Sequence, residues 1–214
     1  MRTVRSVRNW RLNMDSGTAS LIGVVVGASI TSLREWIVLS KSRRKGAVYL
    51  VSRIAPLLDD FVARCASVSR DVGEEDPEGR TFTSVATPML DLKDLDVDWK
   101  TLPADLMREL LEIPFRIDVA EKAIANVDEH ADPYDNNYTF EIRRMEYGQL
   151  GLATHDLMLR LLKHAKLPAR TVRSWNPVSV IQAEMTEIEV RRNDREKVHQ
   201  EWLKTAPPAP PLPL

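Results

Sequence analysis

An uncharged stretch near the amino terminus most strongly limits what this chain can become. Residues 16–33, with the sequence SGTASLIGVVVGASITSL, contain no charged side chain, whereas charged residues make up 29% of the whole sequence. Such a run suits a membrane-spanning helix, the apolar core of a cleaved export signal, or a helix buried in a folded protein. The choice among these three decides where the protein resides.

The length of the run favours the membrane-spanning interpretation. Apolar residues resume after Arg34 and Glu35, which gives a segment of 23 residues from Gly17 to Leu39. At about 1.5 Å per residue, an α-helix of that length crosses a hydrocarbon layer of about 30 Å. We therefore predict a transmembrane helix over residues 17–40, preceded by a basic leader over residues 1–16.

Basic residues on both sides of the predicted span bear on its orientation. The cluster after the span is predicted to contact lipid headgroups and to keep the body of the protein on the cytoplasmic side. It consists of Lys41, Arg43, Arg44 and Lys45. Four arginines in the leader compete with this cluster. A start at Met14 instead of Met1 would remove them, so the topology depends on the true start.

Small residues recur at every fourth position of the predicted span, at Ala19, Gly23, Gly27 and Thr31. This spacing places them on one face of a helix, where a neighbouring helix can approach closely. The partner would be a second copy of the chain or another membrane protein. Glycine and alanine are also common in membrane helices in general, and the stripe by itself does not separate these interpretations.

Two targeting signals are alternatives to the span. Val26, Gly27 and Ala28 resemble a signal-peptidase site, and cleavage after them would yield an exported soluble helical domain. Apolar residues continue beyond that site, however, so the mature chain would begin inside a hydrophobic segment. The opening MRTVRSVRNWRLN is rich in arginine and free of acidic residues, which is also typical of an organelle transit peptide.

The rest of the chain, residues 41–204, has the apolar spacing of a helical bundle with a Pro-rich disordered tail over residues 205–214. Helices are predicted after the span, from about Thr101 to Val127, from about Asn137 to Ala165, and after the pair Asn176 and Pro177. A long acidic loop over residues 71–98 separates the first two. The predicted fold class is mainly α: one N-terminal transmembrane helix, then an antiparallel bundle of about four helices.

Apolar positions predict the buried face of each helix. In the first helix they step by three and four through Ala47, Val51, Ile54, Leu58, Phe61, Cys65 and Val68. In the third helix they include Ile142, Met145, Leu152, Leu159 and Leu162, widened by Leu150, Ala153, Leu157 and Leu161. Pro114 is expected to bend or divide the second helix.

Charge and cysteine content exclude some classes of protein. The net charge of −1 combines +7 over residues 1–45 with −8 over the remainder, so the body is acidic and a nucleic-acid partner is disfavoured. Cys65 is the single cysteine, which rules out an intramolecular disulfide and fits a reducing compartment.

No catalytic, cofactor or metal motif is evident in the sequence. No two of the four histidines have the spacing of three or four residues that places two metal ligands on one helix face. The leading hypothesis is a non-enzymatic, membrane-anchored scaffold or partner-binding module without a cofactor. The alternative is a small enzyme or ligand sensor with a pocket between helices, for which the polar candidates are Glu146, Tyr147, His155 and Asp156.

Overall fold

A computed structural model of the protein describes residues 16–93, 95–129, 137–169 and 175–205, and the side chains of residues 16–37 and 39 lie outside that description. Within these ranges the chain is mainly helical, with four α-helices, which confirms the predicted helical bundle. Apart from Ser16 and Thr205, the predicted leader and Pro-rich tail fall outside the described residues.

The chain divides into two compact units, Met1–Lys45 and Gly46–Leu214. The described part of the first unit belongs to α1, a helix that extends from Ser16 to Val68. Among the side chains that the structure describes, none of the helices is apolar over a length that would cross a membrane. The predicted span and the stripe at Ala19, Gly23, Gly27 and Thr31 lie almost wholly outside those side chains, so both stay predictions.

The second unit contains the rest of α1 and three further helices. These are α2 (Ala104–Asp128), α3 (Asn137–Ala165) and α4 (Pro177–Thr205). The long connection from α1 to α2 contains a small antiparallel hairpin of β1 (Glu74–Glu75) and β2 (Thr81–Phe82), followed by a 3-10 turn over Trp99–Thr101. α2 passes through Pro114 without division, contrary to one of the two predicted outcomes.

Neighbouring helices α2, α3 and α4 alternate in direction, whereas α1 and α2 run the same way. Ion pairs join Glu109 to Arg160 and Glu141 to Arg195, so early residues of one helix meet late residues of the next. The end of α1 also opposes the first half of α3, because Arg144 Nε donates to the Ser69 carbonyl over 2.9 Å. The long connection accounts for this departure from a simple antiparallel bundle, since it returns the chain to Gly46 of α1, which packs against Thr101 just before α2 begins.

The predicted seam of α1 is confirmed: all seven of its residues from Ala47 to Val68 are buried. The predicted face of α3 is partly wrong. Leu159 is exposed and Ile142, Met145 and Leu152 are only half-buried. The core face instead includes Phe140, Tyr147, Leu150, Leu157 and Leu161, together with buried charged residues that obscure the apolar period.

The helices approach most closely at two glycines of α3. A β-carbon on Gly151 would lie 2.8 Å from both Cys65 Cβ of α1 and Ile181 Cδ1 of α4. A β-carbon on Gly148 would lie 2.7 Å from Met185 Sδ. Cys65 is fully buried at this junction, and burial raises the pKa of its thiol. Glycine is thus required at residue 151 by the proximity of two other helices.

The last helix begins where the sequence predicts. Asn176 Oδ1 accepts a hydrogen bond of 3.1 Å from the Val178 backbone N–H, as an N-cap residue does, and Pro177 occupies the first turn. Ile181 and Ile188 are buried, whereas residues 189–205 are all exposed. The second half of α4 therefore contributes little to the core.

Candidate functional site

A cleft of about 420 Å³ lies where the long connection meets the end of α2 and the beginning of α3. The connection contributes residues from Thr81 to Thr87, α2 contributes its last two turns, and α3 contributes its first two turns. Small-molecule sites typically have volumes of about 300–1,000 Å³ and combine apolar walls with a few convergent polar groups. The cleft has this character and is the candidate functional site.

One face of α2 forms a wall of the cleft. Glu121, Ile124, Ala125 and Asp128 follow one another at intervals of three, one and three residues and all line it. These intervals place the four side chains on one side of an α-helix. The wall therefore has two carboxylates separated by an apolar middle, with about 10 Å of helix axis between their positions.

The connection is fastened to α3 by a buried ion pair. Asp71 Oδ2 lies 2.6 Å from Arg143 Nη1, and the two side chains are 0% and 5% exposed. Arg143 Nη2 also donates to the Val85 carbonyl over 2.5 Å. The Arg143 guanidinium thus holds two points of the connection, Asp71 and Val85, against α3.

The Asp71 carboxylate also organises the backbone of the connection. It accepts hydrogen bonds from the Gly73 N–H at 3.0 Å, the Ser84 hydroxyl at 2.7 Å and the Val85 N–H at 3.0 Å. Burial acts to raise the pKa of Asp71, but these hydrogen bonds together with that from Arg143 outweigh it, so the pKa is lowered. Asp71 is therefore held ionised.

Glu121 is positioned by two hydroxyl groups. The Tyr147 hydroxyl donates to Glu121 Oε1, and the Thr87 hydroxyl donates to the same oxygen over 3.3 Å. Burial, followed by the hydrogen bond to Glu121, raises the pKa of Tyr147, so this phenol stays neutral and acts as a donor. The Glu121 carboxylate is thereby fixed between α3 and the connection.

A residue that lines the cleft has a buried hydroxyl without a hydrogen-bond partner in the described part of the chain. Thr139 lines the cleft and is only 6% exposed. Among the described residues nothing bonds to its Oγ1. Burial of a polar atom without a partner is unfavourable, because the atom loses its hydrogen bonds to water. Native proteins therefore rarely leave such an atom unsatisfied.

A glycine allows the start of the connection to pack closely against Thr81 and Phe140. Gly73 has a φ of +82°, and a β-carbon there would lie 2.5 Å from Thr81 Cγ2 and 2.7 Å from Phe140 Cζ. Thr81 and Phe140 both line the cleft. The shape of the cleft thus depends on glycine at residue 73, both for its left-handed backbone and for the missing side chain.

The charges that line the cleft are unbalanced toward negative. Glu121 and Asp128 line it together with one cation, Arg143. Arg143 is already paired with Asp71, and its second nitrogen is used by the Val85 carbonyl. Among the described residues, the lining of the cleft thus contains two carboxylates and one guanidinium.

The cation cluster predicted from the sequence is exposed: Lys41, Arg43, Arg44 and Lys45 all lie on the surface, and their contact with headgroups stays a prediction. The four polar candidates of the alternative hypothesis do not assemble into the cleft, since its lining contains none of them. Tyr147 reaches it indirectly through Glu121, and Asp156 instead pairs with Arg160 at 3.0 Å.

Over the described ranges, no group of three or more His, Cys, Asp and Glu side chains is arranged to hold a metal ion. Among those residues, the two carboxylates of the cleft have no third ligand of these types grouped with them.

Sequence reasoning missed Asp71, Glu121, Thr139 and Arg143. The available signal was the pair Arg143 and Arg144 inside an otherwise apolar helix, since buried charges in such positions need partners. The partners lie far away in sequence, and the spacing of apolar residues does not identify them. Glu121 and Asp128 were present on a predicted helix but were indistinguishable from a solvated face.

Comparison of the chain with protein-family models, with curated proteins and with solved structures gave no match.

Proposed function

We propose that the protein is a single-pass membrane protein that holds a non-enzymatic helical binding module at the membrane surface. The observation that carries this proposal is the uncharged run of residues 16–33 in a chain that is otherwise densely charged. With its apolar continuation to Leu39, the run has the length of a bilayer-crossing helix. A tether of this kind raises the concentration of the module near other membrane components.

The exposed cluster after the run supports the same proposal. Lys41, Arg43, Arg44 and Lys45 lie within five consecutive positions on the surface of α1. Basic residues next to a span favour the cytoplasmic side and are attracted by anionic headgroups, at about 1 kcal/mol per residue near the surface. We therefore propose a cytoplasmic body, with residues 41–45 at the headgroup level.

Extraction of membranes from cells that express the full chain tests the anchor. The wild-type chain should stay in the membrane pellet after washes with high salt and with alkaline carbonate. Replacing Val24, Val25 and Val26 with Asp should release it, because each ionised carboxylate inside hydrocarbon costs several kcal/mol.

A matched control separates insertion from surface attraction. Changing the four cations at 41–45 to Gln removes the electrostatic contact but preserves the apolar run, so this variant should also stay in the pellet. Release of the wild-type chain by carbonate would overturn the anchor. Release of the Gln variant alone would show that the apolar run does not suffice to hold the chain in the membrane.

The cleft favours a second candidate function, which is the binding of a small ligand by the helical module. Its support is the combination of a volume of about 420 Å³ with a buried hydroxyl that has no partner in the described part of the chain. The two functions are compatible, because a tethered module can also sense a solute. Titration of the full chain in detergent with small molecules of different charge tests this candidate.

A further inference from the structure

The end of α4 makes no polar or ring contact with another element among the described residues. Arg195 still pairs with Glu141 of α3, but from residue 196 onward the hydrogen bonds and ring contacts of the described side chains stay within α4. This helix end is nevertheless partly apolar, since Trp202 is 60% exposed and three aliphatic side chains are 54% to 66% exposed: Val190, Val198 and Leu203. A helix in water is marginally stable unless its apolar side is covered. The end of α4 therefore gains stability from any segment that covers these side chains.

A shallow groove of about 620 Å³ follows one side of this helix end. Its six lining residues are spaced by three, one, three, one and three positions, which places them on one side of an α-helix over about 16 Å. They are Arg191, Asp194, Arg195, Val198, His199 and Trp202. The rings of His199 and Trp202 are stacked, with centroids 6.2 Å apart. The groove therefore has an aromatic pair at the end nearest to Thr205 and arginine side chains at the other end.

The segment that directly follows α4 has the composition of a ligand for such a groove. α4 ends at Thr205, and residues 206–214 have the sequence APPAPPLPL, with five prolines and no charged side chain. Proline favours the polyproline II conformation, in which the backbone makes no internal hydrogen bonds. Segments of this kind dock into aromatic grooves, because their conformation is preformed and little entropy is lost on binding. The prediction from sequence that this tail is disordered considers the tail alone.

The hydrogen-bonding groups of the groove and of the tail are complementary. Since five of the nine tail residues are prolines, the tail has nine carbonyl acceptors but only four backbone N–H donors. The groove supplies donors, which are the indole N–H of Trp202 and the guanidinium N–H groups of Arg191. Arg191 is 45% exposed and pairs only loosely with Glu187, at 3.7 Å. An uncharged segment rich in acceptors therefore matches this groove.

The length of the tail also matches the groove. To run back along α4, the tail must reverse its direction after Thr205, and a turn of about three residues achieves this. The six residues that then remain, 209–214, extend about 19 Å at about 3.1 Å per residue in polyproline II. This distance covers the groove of about 16 Å from Trp202 to Arg191. The tether favours the tail over a second copy of the chain, because a short linkage gives an effective concentration in the millimolar range.

We propose that residues 206–214 fold back on α4 and cover its groove, with proline rings against Trp202 and His199. Arg191 and the indole of Trp202 donate hydrogen bonds to carbonyls of the tail. The occupant of this surface is thus a segment of the same chain. The contact stabilises the last turns of α4 and shields Trp202 from other proteins. The inference is independent of the membrane anchor and of ligand binding in the cleft.

Fluorine NMR of the purified full-length chain, labelled with fluorotryptophan, tests the contact at a single side chain. The chain contains five tryptophans, and the resonance that disappears in Trp202→Phe belongs to Trp202. The measured quantity is the shift of each resonance between ordinary and heavy water, which increases with solvent exposure. Replacing the five tail prolines with Ser preserves the length of the tail but removes its rings and its preformed conformation. The solvent shift of Trp202 should then rise about twofold, because the prolines cover one of the two faces of the indole, and the other resonances should be unchanged.

Two valines of α4 test whether the contact lies in the groove. Val198 lines the groove, whereas Val190 has a similar exposed fraction and lies outside it. The proline replacement should have about half its effect or less in the Val198→Ser chain, because the two changes then remove parts of the same contact. In the Val190→Ser chain it should have its full effect. Circular dichroism checks that both variants keep their helices.

The outcomes separate the tail of the same chain from other occupants. A Trp202 response to the proline replacement that is the same at all protein concentrations supports contact within one chain. A response that disappears on dilution would assign the groove to the tail of a second copy and overturn the proposal. If the Trp202 resonance does not respond, or if Val190→Ser reduces the response as much as Val198→Ser does, the groove is not the site of the tail.

Discussion

Arg143 Nη1 of α3 lies 2.6 Å from Asp71 Oδ2 at the start of the long connection, and both side chains are buried. This pair joins segments 72 residues apart in sequence. Because the connection also forms one wall of the cleft, the pair links the stability of the bundle to the shape of the candidate site.

Removal of one partner of this pair should strongly destabilise the protein. Asp71→Asn or Arg143→Met leaves an uncompensated buried charge or unsatisfied donors, with an expected loss of about 3–5 kcal/mol in the free energy of unfolding. The measurement is denaturant unfolding of the chain followed by circular dichroism.

Asp60→Asn is the control for that series. It breaks the ion pair between Asp60 and Arg64, whose side chains are 60% and 61% exposed, so the expected change is about 0.5 kcal/mol or less. The interpretation of the buried pair fails if Asp71→Asn costs no more than Asp60→Asn. The double change Asp71→Leu with Arg143→Met should recover part of the loss, since no buried charge is then left alone.

Acid should destabilise the protein partly through Asp71. Its pKa is lowered in the folded protein, so its contribution is fully present above the unfolded value of about 3.9 and is lost as the pH falls through the folded value. Unfolding midpoints at a series of pH values below neutrality measure this dependence. Arg160 lowers the pKa of Glu109 in the same direction, so the wild-type slope contains both.

Asp71→Asn should therefore show a shallower decline of stability in acid than the wild-type chain, starting from a lower stability at neutral pH. Identical slopes for the two chains would contradict the role given to Asp71.

Alanine should be tolerated at Gly148 but not at Gly151. At residue 151 the new methyl group would meet the Cβ of Cys65, which is fixed to the α1 backbone, and overpacking of this kind costs about 1–3 kcal/mol. At residue 148 it meets the flexible end of Met185, and alanine gains about 1 kcal/mol over glycine in helix propensity. Thermal unfolding of both variants compares them, and a larger loss at residue 148 would contradict the packing described.

The small-residue stripe predicts association within the membrane. Gly23→Ile with Gly27→Ile should reduce crosslinking between copies of the chain or to a neighbouring membrane protein, because the bulkier side chains keep helices apart. Val25→Ile, which enlarges a residue outside the stripe, is the control and should leave the crosslinks unchanged. Equal crosslinking of all three chains, analysed by mass spectrometry in intact membranes, would show that the stripe makes no contact.

Apolar periodicity was sufficient to predict the helices and most of the core. The seam of α1 and the start of α4 follow from local rules, since Asn176 and Pro177 act on the helix that they begin. The face of α3 was predicted less well, because Arg143 and Arg144 lie on its buried side. These two arginines can be buried because Arg143 pairs with Asp71 and Arg144 pairs with Glu184, and the local spacing of apolar residues does not reveal such distant partners.

The cleft was beyond prediction for the same reason. Its walls come from the connection, α2 and α3, and each wall looks ordinary alone: Glu121 and Asp128 resemble a solvated helix face, and Thr83 and Thr87 resemble a loop. The lining of the cleft includes neither His155 nor Asp156, because they lie about three helical turns beyond the end of α3 that borders it, and a pocket around them stays a prediction.

Because Cys65 is buried, the reactivity of its thiol reports transient opening of the helical core. The thiol is the single sulfhydryl of the chain and lies where α1, α3 and α4 meet. Alkylating reagents attack thiolates, so a shielded thiol with a raised pKa reacts only while the surrounding helices are apart. The rate at which a maleimide labels the folded chain therefore counts separations of those three helices, without any engineered label.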